Sequence, residues 1–222
     1  GLRYVIMTVG MVNRSSNESL PTSFNGGGSM KQNTYERLDE MEQIIKRPDF
    51  RENKGLGNEV GYYIFDYPAK DELIVRDRIE YLKKKNFKIT DGFELIVFDL
   101  YDLVIDILEQ EDVLEQCYRF EKKKGMERII KSVSSLLKLT EDDCLLIEYI
   151  KEHTPEKAVV VLTGVGKCYP ILRSHSLLNN LHLAIDRVPV VLFYPGEYDG
   201  QSLALFSEIK DGNYYRAFKL VK

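Results

Sequence analysis

Polar and charged residues follow the ends of four apolar runs in this chain. Asp66 follows YYIF, Asp99 follows ELIVF, the TGVGK motif (163–167) follows VVVL, and PGEYD (195–199) follows VVLFY. Such runs are typical of buried parallel strands, which place the groups that follow them along one edge of a sheet, where α/β proteins bind ligands. The candidate ligand- or partner-binding edge comprises Asp66, Asp99, Thr163, Gly164, Gly166, Lys167, Arg173, His175, Glu197, Tyr198 and Asp199. The alternative is that these residues form ordinary strand-end turns and helix caps.

The TGVGK motif could hold a phosphate, and its spacing tests that idea. Gly166 and Lys167 resemble the end of a Walker A loop, whose backbone amides and lysine bind nucleotide phosphates. That loop requires a glycine where this chain has Val161, and a serine or threonine where it has Cys168. We therefore predict that the chain does not hydrolyse nucleotides through this loop.

Histidine and cysteine spacing gives no complete catalytic or metal-binding set. His175 and His182 are seven residues apart, about two helical turns, which is too far for two ligands of one zinc ion. Cys168 could act as a nucleophile with His175 as its base, but a cysteine after a strand is more often a small buried apolar residue. We therefore expect a protein without catalytic residues, metal or cofactor.

Strand and helix patterns alternate along the chain, which predicts the elements that position the strand-end residues. Strands are predicted at 61–67, 93–100, 157–167, 188–200 and 213–221. Helices are predicted from Asn33 to Pro48, at 71–85, from Leu100, across 111–152 with a break near Gly125, at 174–185 and at 202–209. Strands separated by helical crossovers indicate a single α/β domain, with a mostly parallel sheet of about five strands and helices on both faces.

Charge and composition limit the classes of partner. The chain has 31 Lys and Arg against 35 Asp and Glu, a net charge of −4, which is unfavourable for a general nucleic-acid or membrane binder. Two lysine clusters, Lys83–Lys85 with Lys88 and Lys122–Lys124, could contact phosphates, but a solvated helix face is the favoured interpretation. The three cysteines form no CxxC pair, and no apolar run approaches the roughly 18 residues that span a membrane. We expect a cytoplasmic protein without membrane contacts.

The first residues of the chain are unlike the rest. Residues 25–29 read NGGGS, the composition of an engineered flexible linker, and residues 1–24 precede it as a fused peptide of vector or partner origin. The peptide has strand-like residues, and we expect it to dock as an added edge strand or in a groove through Tyr4, Val5, Ile6, Met7 and Val9. The α/β domain is then residues 30–222.

Four stretches of this sequence strongly resemble one protein family. They are RPDFRENKGLGNEVGYYIFDYPAKDEL (47–73), VVVLTGVGKCYPILRSHSLLNNL (159–181), VPVVLFYPGEYDGQSLALF (188–206) and NYYRAFKLV (213–221). The family is BrxB, from the BREX bacteriophage-exclusion systems, and the resemblance covers residues 30–222. It implies membership of a multi-component defence system that also contains a DNA methyltransferase, a large ATPase and PglZ, an alkaline-phosphatase-like protein. It carries over no catalytic residue.

Two classes of function follow from these observations. The first is a non-enzymatic adaptor that binds another BREX component, PglZ above all, and reaches DNA only indirectly. The alternative is a nucleotide- or nucleic-acid-binding subunit that uses the strand-end edge and the lysine clusters.

Overall fold

The fold is organised around a central parallel sheet, seen in a computed structural model that describes residues 33–52, 61–139, 141, 143–210 and 212–222. Five parallel strands form it: β1 (Tyr62–Tyr67), β2 (Glu94–Asp99), β3 (Ala158–Thr163), β4 (Val190–Tyr198) and β7 (Phe218–Lys219). Their order across the sheet is β2-β3-β4-β1-β7. The predicted fold class is confirmed. The fused peptide and linker predicted at residues 1–29 lie outside the described residues and stay predictions.

The strands form where the sequence is apolar without alternation. All six residues of β3 are buried, and Val159, Val160 and Val161 supply β-branched side chains that fit a pleated surface. Edge strand β2 is only partly covered, with one buried residue, Phe98. Because the side chains of β3 are buried on both faces, helices must cover both faces of the sheet.

One face of the sheet carries the helices of the N-terminal half. These are α1 (Thr34–Lys46), α2 (Pro48–Arg51), α3 (Glu72–Lys83) and α4 (Phe87–Thr90). They pack on Phe65, Val161 and Phe193, which point to this side of their strands. Asn33 begins α1 with the predicted capping box, in which its side chain accepts from the Glu36 backbone and Glu36 returns the bond.

The opposite face carries the remaining helices. They are α5 (Leu100–Gln110), α6 (Leu114–Lys124), α7 (Met126–Leu136), α8 (Leu145–Glu152), α9 (Val165–Cys168) and α10 (Ser174–Ala184). Their apolar residues pack on Ile64, Val160 and Leu192, the alternate positions of the same strands. Helices on both faces of a parallel sheet form the doubly wound arrangement that the sequence predicts. Among the described residues, no helix has both the length and the apolar character needed to cross a membrane.

The helix predicted at 202–209 is wrong. This stretch forms the short strands β5 (Leu203–Leu205) and β6 (Ile209–Lys210), which extend the end of β4 as antiparallel partners. Phe206 and Ser207 have φ values of 54° and 60°, so they make a tight turn that a helix does not contain. The strand predicted at 213–221 is shorter than expected, because only Phe218–Lys219 pairs with β1.

Candidate functional site

The strand ends of β2 and β3 bring one group of predicted residues together. Asp99 is paired in register with Thr163, and the Lys167 ammonium donates to the Asp99 carboxylate. Asp99 also accepts from the backbone amides of Tyr101 at 3.0 Å and Asp102 at 3.3 Å, so it caps the start of α5. Lys167 lies 3.9 Å from the Asp102 carboxylate as well. Two carboxylates therefore compensate the single charge of the TGVGK lysine.

The glycines of TGVGK allow the loop to close on these groups. Gly164 has φ +78°, and a Cβ added to it would lie 2.6 Å from Asp99 Oδ1. A Cβ at Gly166 would lie 3.0 Å from the ring of Phe206. Both glycines thus permit close packing inside the chain.

Asp66, at the end of β1, is the centre of a buried ionic cluster. The residue is 5% exposed. Arg37 donates to its Oδ1 at 2.7 Å and to its backbone carbonyl at 2.5 Å. Lys219 donates to its Oδ2 at 2.8 Å, and the backbone amide of Tyr198 donates to the same oxygen at 3.1 Å. Asp66 therefore joins α1, β1, β4 and β7, and its oxygens all have partners inside the fold.

The PGEYD segment divides into buried, capping and exposed residues. The Tyr198 hydroxyl donates to the carbonyl of Ala217 at 2.7 Å, and burial raises the pKa of Tyr198 to about 12. Asp199 accepts from the backbone amides of Ser202 at 2.7 Å and Gln201 at 2.8 Å, and these bonds hold its pKa below the usual value. Of Glu197, Tyr198 and Asp199, Glu197 is the residue whose exposed side chain neither caps a turn nor bonds a distant part of the fold.

Arg173 and His175 lie at the start of α10. Arg173 is exposed and makes no ion pair with any carboxylate in the part of the chain that the structure describes. His175 is half-buried, with its ring edge-on to Tyr215 at a centroid distance of 5.7 Å. The predicted edge therefore separates into internal partners (Asp66, Asp99, Lys167) and surface residues (Arg173, Glu197).

Cys168 is buried, as the sequence favours. It is 2% exposed, and burial raises the pKa of its thiol well above the usual value. Among the described residues, no three His, Cys, Asp or Glu side chains lie close enough together to hold a metal ion.

The two lysine clusters have different surroundings. In the first, Lys83 pairs with Glu80 at 2.8 Å, Lys85 with Glu42 at 2.5 Å, and Lys88 with Glu94 at 2.7 Å. The second, Lys122–Lys124, is exposed, and no described carboxylate forms an ion pair with it. Only the first cluster is compensated by neighbouring acids.

A surface that the sequence analysis missed lies between α1 and α3. Here a groove of about 210 Å³ opens on the surface. It is lined by Tyr35, Leu38, Ile74, Asp77, Arg78 and Tyr81. We call these six residues the α1–α3 groove. Tyr35 and Tyr81 are 58% and 52% exposed, and Leu73, the residue before the lining residue Ile74, is 71% exposed. These values are high for large apolar side chains.

A sequence signal for this surface exists. On α3 the buried stripe is Val75, Ile79 and Leu82, which have helical spacing. Leu73 and Tyr81 fall outside that stripe, so their exposure could have been predicted from the same pattern.

Ion pairs at the groove connect α1 and α3. Arg78 bonds Asp39 at 2.6 Å and lies 3.5 Å from the buried Glu42 carboxylate. Lys85 lies over the Tyr81 ring at 4.4 Å while donating to Glu42. The groove is therefore a fixed apolar surface with charged groups at its rim.

The fold and the strand-end contacts define a single α/β domain whose parallel sheet is covered by helices on both faces. The model of the family described as "BREX protein BrxB" matches residues 96–220. A BREX protein BrxB of Bacillus cereus (strain H3081.97) is 48% identical over 186 residues, 84% of this chain and 96% of the relative. A BREX protein BrxB of Escherichia coli O9:H4 (strain HS) is 32% identical over 187 residues, 83% of this chain and 90% of that relative.

The chain belongs to the BrxB family, and the resemblance seen in the sequence is confirmed. Membership makes it a BREX protein with a role in phage defence. No solved structure matches the chain.

Proposed function

We propose that this chain is a non-enzymatic adaptor of its BREX system, and that its partner is another component, PglZ above all. The observation that carries the proposal is the exposed apolar surface at the α1–α3 groove. Buried aromatic and aliphatic anchors, surrounded by polar groups, supply most of the energy of protein interfaces. Tyr35, Tyr81 and Leu73 are such anchors here, and Asp77 and Arg78 lie at the rim.

The strand-end contacts support an adaptor rather than a nucleotide-binding subunit. A phosphate at the TGVGK loop would compete with Asp99 and Asp102 for the Lys167 ammonium, and both carboxylates would repel it. Asp66 is likewise saturated by Arg37 and Lys219. The exposed Arg173 and Glu197 remain available as a secondary contact region.

The test uses two double variants that match in residue type. Tyr35→Ser with Leu73→Ser removes one exposed aromatic side chain of the groove and the exposed leucine next to its lining residue Ile74. Tyr214→Ser with Leu183→Ser removes a tyrosine and a leucine elsewhere that are somewhat more exposed, at 70% and 80%. Binding of each full-length variant to purified PglZ is measured by calorimetry, with the thermal midpoint recorded for each.

We expect the groove variant to bind PglZ at least about tenfold more weakly, because losing a hot-spot contact costs about 2 kcal/mol or more. The control variant should bind as the unaltered chain does, and both should keep their thermal midpoints because all four side chains are exposed. Equal affinity for the two variants would contradict the groove as the docking surface. A defect confined to Arg173→Glu or Glu197→Lys would move the interface to the strand-end edge.

A further inference from the structure

A helical hairpin carries a cluster of exposed positive charges with few acidic partners. Helices α6 and α7 are joined by one residue, Gly125, which has φ +80°. Leu114 and Cys117 of α6 and Ile129 and Val133 of α7 are buried in the core, so the hairpin is fixed to the domain. The joint between the helices projects into solvent, since Lys122–Gly125 are exposed.

Six cations cluster near this joint. They are Arg119, Lys122, Lys123, Lys124, Arg128 and Lys131, all exposed. We call them the hairpin tip. At 1.5 Å of rise per residue, each lies within roughly 10 Å of Gly125 along its helix. Glu121 and Glu127 are the acids within the same span, so residues 119–131 carry a net charge of +4 in a chain of net charge −4.

Ion pairing leaves most of this charge uncompensated. The Lys131 ammonium lies 3.5 Å from the Glu127 carboxylate, and both side chains are exposed. Such an exposed ion pair is weak, because water screens the two charges. The other five cations form no ion pair with a carboxylate among the described residues. The tip therefore differs from Lys83, Lys85 and Lys88, which all have acidic partners.

Helix stability explains only part of the cluster. Lys122–Lys124 end α6, where cations interact favourably with the helix dipole. Arg128, in contrast, lies in the first turn of α7, where a cation opposes the dipole. Helix stability therefore does not account for Arg128.

We propose that the hairpin tip binds the phosphate backbone of a nucleic acid without reading its sequence. The apolar residues near the tip, Tyr118, Phe120, Met126 and Ile130, pack against the core and leave charged groups on the surface. A protein partner would need exposed apolar anchors, which the tip lacks, whereas phosphates need only cations. Duplex DNA has one charge per about 1.7 Å of axis with both strands counted, so several phosphates lie close enough together to meet the cations of the tip.

The test measures binding of a short fluorescent DNA duplex by anisotropy as salt rises from about 50 mM to 200 mM. The tip variant is Lys122→Gln, Lys123→Gln and Lys124→Gln in the full chain. The matched control is Lys83→Gln, Lys84→Gln and Lys88→Gln, which removes the same charge from the end of α3 and from α4. Unlabelled polyglutamate serves as an acidic-protein probe, and thermal midpoints confirm that both variants fold.

We expect the unaltered chain to bind the duplex more weakly as salt rises. Each phosphate contact adds about 0.9 to the slope of log affinity against log salt, so the tip variant should lose up to about 2.7 of slope. The control should keep the slope, and arginine at the same three tip positions should restore it. Absence of binding at about 50 mM salt, or equal losses in tip variant and control, would overturn the proposal. Polyglutamate that competes as well as unlabelled duplex would also overturn it, in favour of an acidic protein.

Discussion

Removing the Asp66 carboxylate tests whether the end of β1 is a structural centre or a free ligand site. Asp66→Ala leaves Arg37, whose side chain is 14% exposed, without its counter-ion in a buried position. Lys219 is 35% exposed and can turn toward water, so the loss of its ion pair with Asp66 costs less. The backbone amide of Tyr198 also loses its acceptor.

The size of the effect follows from these contacts. Removing one partner of a buried ion pair costs about 3–5 kcal/mol, because an uncompensated charge remains. An unsatisfied buried amide adds about 1–3 kcal/mol, but the two costs overlap when the side chains rearrange. We therefore expect Asp66→Ala to lower the free energy of unfolding by about 3–5 kcal/mol.

Urea unfolding followed by circular dichroism measures this change. The matched control is Asp49→Ala, which removes an aspartate from an exposed pair with Arg47 and should change stability little. Asp66→Asn should lie between the two, because the amide keeps an acceptor oxygen but loses the charge. If Asp66→Ala were as mild as Asp49→Ala, Asp66 would not be the centre of a structural cluster, and the edge would be open to a ligand.

Three further predictions concern stability and reactivity. Gly164→Ala should destabilise the fold by about 1–3 kcal/mol in urea unfolding. The control is Gly92→Ala, which has a similar φ of +74° and nothing near its added Cβ. It should cost less, because only the Cβ added at Gly164 would lie against Asp99. Burial would raise the pKa of Glu42, but its bonds to two lysines outweigh burial and hold that pKa below 4.5. The stability that Glu42 contributes is therefore present above about pH 4.5 and is lost as the pH falls through the lower pKa of the folded state. In Glu42→Gln, the free energy of unfolding should fall less steeply as the pH is lowered below about 4.5. An unchanged fall would contradict this role. Cys168 should react with a thiol reagent only as fast as the chain unfolds, and rapid labelling in native buffer would contradict its burial.

The sequence predicted the sheet because its signal is local. Runs such as Ala158–Thr163 are apolar at every position, and only a strand covered on both faces buries such a run. The adjacency of Asp99 and Thr163 likewise followed from parallel strands ending at one edge. Local pattern was insufficient at Leu203–Leu205, where pairing with the end of β4 determines the structure.

The roles of the site residues depend on partners far away in the chain. Asp66 contacts Arg37, 29 positions earlier, and Lys219, 153 positions later. Neither spacing belongs to a helix or strand period, so the same aspartate fits a ligand site and a buried ion pair equally well in sequence. For the same reason the compensation of Lys167 by Asp99, 68 positions earlier, required the structure.

Hydrogen–deuterium exchange of the full chain with and without PglZ tests the adaptor proposal most directly. Docking on the α1–α3 groove should slow exchange in Thr34–Lys46 and Glu72–Lys83, and leave Ser174–Ala184, on the opposite face, unchanged. Protection confined to the strand-end segments 163–175 and 195–199, or no protection at any PglZ concentration, would contradict docking at the groove.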